Sequence, residues 1–181
     1  IIVLCIVSKN PAKVINSYFL GVFSSKFYIG TILSTGSLLL FSSLGSSIAL
    51  KSGNMNLGGA AQIYLGGFLA AIILKNPQAS FWGTFLICGI VPAIVASLSA
   101  LLKIFKNVSE ILTSFLISAA ITPFIDYAVA GPLRDSSKNL LATESIADNH
   151  KIASLLPPSA FNATFFIAVF LCIFAYFFYK Y

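Results

Sequence analysis

The 181-residue chain is 58% hydrophobic and only 9% charged, with a mean hydropathy of +0.95. A soluble domain carries roughly 25% charged residues and, near 150 residues, buries only about 70% of its chain surface, so it could not hide this much apolar area. A bilayer can. The formal charge of +6 then reads as loop and interfacial lysines rather than a nucleic-acid footprint, because the lysines stand singly between apolar runs and form no basic stripe.

From the start of the chain, residues 1–7 are apolar and stop at Ser8-Lys9-Asn10-Pro11. That run is far short of the about 20 residues a span needs. It lacks the basic region that opens a signal peptide, so it reads as the tail of a truncated first helix. Five apolar spans follow, at about 28–50, 57–74, 81–102, 108–130 and 161–179. Each must be helical in lipid, where every backbone group needs an internal partner. Pro92 and Pro123 fall inside spans and should kink them. Small residues at Gly66 and Gly67, and at Ala96, Ser97, Ser99 and Ala100, point to closely packed helices.

One long polar stretch, 131–158, carries Arg134, Asp135, Lys138, Glu144, Asp148, His150 and Lys151 and reads as an aqueous loop. The chain stops at Lys180-Tyr181, where a helix would enter a loop, as an excerpt or a truncated product would. The expected fold is an all-α polytopic transmembrane bundle of about five complete spans plus a truncated first helix, one transmembrane domain over 1–181. Cys5, Cys88 and Cys172 lie in apolar runs outside any CxxC pair and read as small packing residues; His150 reads as an exposed loop residue.

Three places carry chemistry. Gly53-Asn54-Met55-Asn56-Leu57-Gly58-Gly59-Ala60-Ala61-Gln62 opens a span with glycines and amides. One reading is a short or broken helix that directs polar groups at a solute; the other is an interfacial turn N-capped by Asn54 or Asn56. The second place is Lys103-Ile104-Phe105-Lys106-Asn107-Val108-Ser109-Glu110, in which Ser109 and Glu110 either start a helix, the acid complementing the dipole, or put Glu110 in a polar pathway. Asp126 is an acid inside a span, which is expensive and by default functional, yet it lies close enough to Gly131 to reach the interface. No Walker loop, HExxH or GxSxG is present, so hydrolysis and group transfer have no support.

At these residues the sequence resembles the membrane permease subunits of bacterial ABC importers of the branched-chain amino acid and ribose type, nearest to the nucleoside (simple-sugar) branch. The family segment F-N-I-G-x-E-G-Q stands here as Met55-Asn56-Leu57-Gly58-Gly59-Ala60-Ala61-Gln62. V-N-E-V-I-x-T stands as Val108-Ser109-Glu110-Ile111-Leu112-Thr113-Ser114, after a basic loop. G-P-L-R-D stands as Gly131-Pro132-Leu133-Arg134-Asp135. Asn139-Leu140, the 143–146 stretch and Leu156-Pro157 match in character. The acid of the first segment is Ala60 here and the following glycine is Ala61, which removes any solute contact that acid makes in relatives. Members continue after the fifth span with a cytoplasmic coupling segment, and this chain stops before it.

The resemblance implies a permease subunit of a bacterial cytoplasmic (inner) membrane importer, with no catalytic or metal site of its own. Its implied partners are a second permease subunit, a cytoplasmic ATP-binding subunit that holds the ATP, and an extracytoplasmic substrate-binding protein. The solute is a nucleoside or related sugar-containing molecule. Asn56, Gly58 and Gln62 would line the path, with Glu110 and Thr113 near the cytoplasmic side; Asn54 and Asp126 complete the candidate set. The cation count leans toward a cytoplasmic 131–158 loop, but the family order makes that loop extracytoplasmic and the Lys103–Lys106 turn cytoplasmic. The alternatives are ribose, another sugar or a branched-chain amino acid as solute, a truncated non-functional remnant, and an intramembrane enzyme resting on Asp126 or His150.

Overall fold

The computed structural model describes residues 10–180. The apolar 1–7 run expected to be a helix tail, with Cys5 and Lys9, lies outside the described residues. Within them the structure is helical: α1 (Pro11–Phe19), a 3₁₀ turn (Gly21–Phe23), α2 (Lys26–Lys51), α3 (Gly59–Leu74), α4 (Phe81–Lys106), α5 (Glu110–Ala130), a 3₁₀ turn (Asp148–His150) and α6 (Thr164–Lys180). The five apolar runs are therefore helices. α2, α4 and α5 are long and apolar enough to cross a membrane. α3 and α6 are apolar but have 16 and 17 residues.

The boundaries of those two helices correct the sequence expectation. α3 begins at Gly59 rather than 57, because the preceding residues hydrogen-bond to side chains instead of turning helical. At 1.5 Å per residue it is about 24 Å long, short of a hydrocarbon core of about 30 Å. α6 begins at Thr164 rather than 161. Asn162 Oδ1 accepts from the Thr164 amide at 3.0 Å and from its hydroxyl at 2.5 Å, an Asx arrangement that competes with helix upstream. α1 lies ahead of the first expected span. Asn10 caps it through a 3.3 Å bond from the Lys13 amide, and Pro11 occupies the first turn, where its missing N–H is not needed.

The described chain divides into two compact units, residues 10–44 with 152–180, and residues 45–151. In the first, Gly30 lies against Ser159 so closely that a Cβ would have no room. Ser159 is buried, and its hydroxyl donates to the Leu156 carbonyl at 2.5 Å. Ala168 and Ser37 are the other small buried positions on α6 and α2.

The second unit is built on α3, α4 and α5. α4 runs unbroken from its Ser80 cap (Ser80 Oγ accepts from the Gly83 amide at 3.2 Å) through Pro92. Pro92 has no N–H to offer the carbonyl of Cys88 one turn earlier. That carbonyl meets α3: a Cβ on Gly66 would sit 3.3 Å from it and 3.7 Å from Pro92 Cγ. Gly66 is thus the close-approach glycine between α3 and α4, whereas Gly67 faces open space. Of the expected small residues on α4, Ser99 is buried and Ser97 is exposed. Pro123 lies inside α5, which is also continuous.

Part of the 131–158 loop docks back on the α3–α4 turn. The Ala147 amide donates to the Leu74 carbonyl at 3.0 Å and Asn149 Nδ2 to the Pro77 carbonyl at 2.8 Å. His150 Nε2 lies 3.2 Å from the Asn76 carbonyl, so this histidine is engaged rather than simply exposed.

Candidate functional site

The segment between α2 and α3 starts from a specific helix ending. The Gly53 amide bonds to the Leu50 carbonyl and the Asn54 amide to the Ala49 carbonyl, with Gly53 at φ +77°. This is a Schellman ending, which requires a left-handed residue and so favours glycine. α4 also ends on a left-handed residue, Asn107 at φ 52°, but that amide bonds to the Lys103 and Leu102 carbonyls, the simpler αL ending. Asparagine is the residue other than glycine that tolerates this conformation best. Both turns end at the same pole of the three-helix cluster.

Asn56 organises the next four residues. Its Oδ1 accepts from the Gly58 amide at 2.7 Å and its Nδ2 donates to Gln62 Oε1 at 3.2 Å. The Leu57 amide donates to Ser114 Oγ on α5 at 3.1 Å, and Ser114 in turn donates to the Ile111 carbonyl. Gly58, not Asn54 or Asn56, is the N-cap of α3, and it makes no side-chain cap. Its place is tight: a Cβ there would lie 3.0 Å from Asn56 Oδ1, 3.1 Å from the Ser114 carbonyl and 3.2 Å from Gln62 Nε2. The amide-rich opening is therefore a tethered, non-helical segment leading into a short helix.

Glu110 opens α5, with Ser109 as N-cap, as the helix-start reading requires. It is only 7% exposed. Lys103 Nζ, from the last turn of α4, donates to Glu110 Oε2 at 3.0 Å, to Asn54 Oδ1 at 3.0 Å and, at 3.5 Å, to the Gly53 carbonyl. Each charge also suits its helix end, the acid at an N-terminus and the cation at a C-terminus. Thr113 is buried, and its hydroxyl bonds to the Ser109 and Glu110 carbonyls of its own helix.

Between the helices lies a narrow cleft lined by Gly58, Ala61 and Gln62 of α3 and its cap, Val95, Ala96 and Ser99 of α4, and Ser114, Ile117, Ser118 and Ile121 of α5. It has room for about one water molecule. Its polar lining is uncharged. Ser99 and Ser114 each donate to a carbonyl three residues back and are both almost fully buried. Ala61 forms part of the wall, whereas Ala60 is exposed and takes no part in it.

The structure thus joins Asn56, Gly58 and Gln62, and links Asn54 to Glu110 through Lys103. It places Thr113 on its own backbone and Asp126 elsewhere: the Tyr64 hydroxyl donates to Asp126 Oδ1 at 2.6 Å, and both side chains are exposed. Sequence reading missed Lys103, Ser99, Ser114, Ser118 and Tyr64. A signal existed for the serines. Glu110, Ser114 and Ser118 recur every four residues, as do Ser99 and Lys103, which is the spacing of one helix face. Among the described residues, no group of three or more His, Cys, Asp or Glu could hold a metal ion.

A family model described as the permease component of branched-chain amino acid transport systems matches residues 28–181. The chain belongs to this permease family. It is 40% identical over 151 residues to a probable riboflavin import permease of Treponema pallidum, covering 81% of this chain and 40% of that protein. It is 25% identical over 163 residues to a glucose ABC transporter permease of Haloferax volcanii, covering 88% of this chain and 42% of that one. The chain therefore spans about two fifths of the length of these relatives. No solved structure matches it. The family is a transport component rather than a catalytic subunit, and its apolar helices make it membrane-embedded.

Proposed function

We propose that this permease forms part of the translocation path of an ATP-driven importer for a nucleoside or a related sugar-bearing solute, with residues 1–181 belonging to one permease domain. The observation that carries the reading is the uncharged polar surface at the start of α3. The Gln62 amide, held by Asn56, lines a cleft whose other polar side chains are the serine hydroxyls Ser99, Ser114 and Ser118. Amides and hydroxyls both donate and accept, so they suit a polyhydroxyl solute without placing a charge in the membrane. Riboflavin and glucose, named for the two relatives, share that polyhydroxyl character with nucleosides.

Glu110 favours this over a free amino acid as solute. An amino acid brings an ammonium and a carboxylate, and the nearby acid and base are already paired with each other. In the proposed orientation the Lys103–Glu110 turn faces the cytoplasm and the 131–158 loop faces outward, in a bacterial inner membrane. A second permease subunit completes the path, a cytoplasmic subunit binds and hydrolyses ATP, and an extracytoplasmic binding protein delivers the solute. The enzyme alternative is disfavoured by the placement of its residues, since Asp126 bonds to Tyr64 and His150 to the Asn76 carbonyl.

The test is uptake of labelled nucleoside by cells lacking the gene, with and without the complete reading frame restored, competed by unlabelled riboflavin, glucose and leucine. ATP-dependent uptake restored by the frame and competed by nucleoside supports the reading. Competition by riboflavin, glucose or leucine stronger than by unlabelled nucleoside reassigns the preferred solute, and no restored uptake removes the nucleoside and brings the other-solute and remnant readings forward.

A further inference from the structure

We infer that Lys103 is a positioning residue: its ammonium ties the turn before α3 to the buried carboxylate of Glu110 and so fixes Asn56, and through it Gly58 and Gln62 in the cleft wall. In its consequence for uptake, this rests on the function proposed above; as a statement about the protein's conformation it stands alone. The segment from Gly53 to Gly58 lies outside any helix; beyond the local bonds of the Gly53 and Asn54 amides to the end of α2 and of the Gly58 amide to Asn56, it is held by bonds across the cluster. Those bonds fall at two points. At its far end the Leu57 amide reaches Ser114 Oγ. At its near end Asn54 Oδ1 and the Gly53 carbonyl reach Lys103 Nζ.

Lys103 itself is anchored on Glu110, one helical turn before Ser114 on the same face of α5. Both tethers therefore run to one face of α5, one directly and one through the ammonium. Asn56 lies between them and passes their constraint to Gly58 and Gln62. Three acceptors converge on Lys103, so the arrangement needs a donor at position 103 and not simply a balancing charge. This separates it from a plain ion pair. Neutralising Glu110 relieves a charge imbalance but cannot replace a missing donor.

The experiment uses the complete permease in native membranes, with every native cysteine, Cys5, Cys88 and Cys172 among them, replaced and a single reporter cysteine at Ala61→Cys. Ala61 is 2% exposed and lines the cleft. Reaction of that cysteine with a membrane-permeant maleimide reports whether the segment still closes the site. In Lys103→Met the labelling rate is expected to rise by about tenfold, as loss of a charge-assisted tether implies, and to stay raised in the Lys103→Met, Glu110→Gln double variant. Lys103→Arg, which keeps a donor, is expected to label as the wild type does. Asn54→Ala, which removes one acceptor, should give a smaller rise, and it carries the test should Lys103→Met fail to reach the membrane.

In uptake, Lys103→Met is expected to raise KM for nucleoside while leaving kcat per permease within about twofold, the pattern of lost binding rather than lost turnover. Unchanged labelling in Lys103→Met, or labelling returned to wild type by Glu110→Gln, overturns the inference. Raised labelling in a permease whose wild type imports no nucleoside leaves the positioning role standing and removes the solute assignment instead.

Discussion

The two ends of α3 solve the same problem with different materials. At its C-terminus, backbone carbonyls at Leu74, Asn76 and Pro77 are met by the aqueous loop, through the Ala147 amide, His150 and Asn149. A Lys75–Glu144 pair at 3.9 Å adds an exposed, long-range contact. At its N-terminus the approach segment is answered by side chains of membrane-spanning helices, Ser114 and Lys103, and by its own Asn56. Water can replace any single contact of the first kind, but few of the second. The difference teaches that the polar groups worth perturbing are those at the start of α3, although the loop has more charges.

The comparison can be broken at several points. The largest effect is expected from Asn56→Ala, which deletes two part-buried hydrogen bonds and leaves the Gly58 amide and Gln62 without them, at about 1–1.5 kcal/mol each. Uptake by the complete permease should fall by roughly 30- to 140-fold with membrane levels retained, each 1.4 kcal/mol being a factor of ten. Gly58→Ala comes next. The added methyl meets the Ser114 carbonyl, which as backbone cannot swing aside, so a cost of about 1–3 kcal/mol is expected, read as a lower Tm of the purified permease. Asn149→Ala, at the other end, should change Tm by the equivalent of no more than about 0.5 kcal/mol, because the contact is exposed and the Ala147–Leu74 backbone bond remains. An Asn149 effect as large as that of Asn56 would abolish the contrast between the two ends.

The smallest effect concerns acid. The Ser137 hydroxyl and amide, then Lys138, hold the Asp135 carboxyl below the usual carboxylate range. Its folded value is the depressed one, so its contribution is intact above the usual carboxylate range and is lost progressively as pH falls from that range through the lowered value. Asp148 is lowered in the same sense by Lys151. Protease cleavage of the loop should therefore be flat between about pH 8 and 5 and rise only below about pH 4, and Asp135→Asn should flatten that rise.

Hydropathy alone located all five apolar helices, because a bilayer leaves the backbone no alternative. What it could not locate were ends set by side-chain bonds. Phe161 continues the apolar run of α6, yet Asn162 delays the helix to Thr164. Leu57 is apolar, yet its amide bonds to a serine far along the chain. The start of α1 was written in Asn10-Pro11 and overlooked among polar residues. Of the site, Asn56, Gly58 and Gln62 were legible as unusual residues at a helix start. Lys103 was not, because as a single loop cation it resembles Lys51 or Lys106 in sequence, and only two successive helix endings bring it over Glu110.

Pro92 sits midway along α4, which is continuous on both sides of it. The carbonyl of Cys88, which Pro92 cannot answer, lies against Gly66 of α3. The residues that α4 contributes to the site, Val95, Ala96, Ser99 and Lys103, all follow Pro92. Gly66 therefore sets the spacing of α3 and α4 just ahead of the cleft, so that the one missing side chain there acts as a shim of zero thickness for the cleft wall and the lysine together.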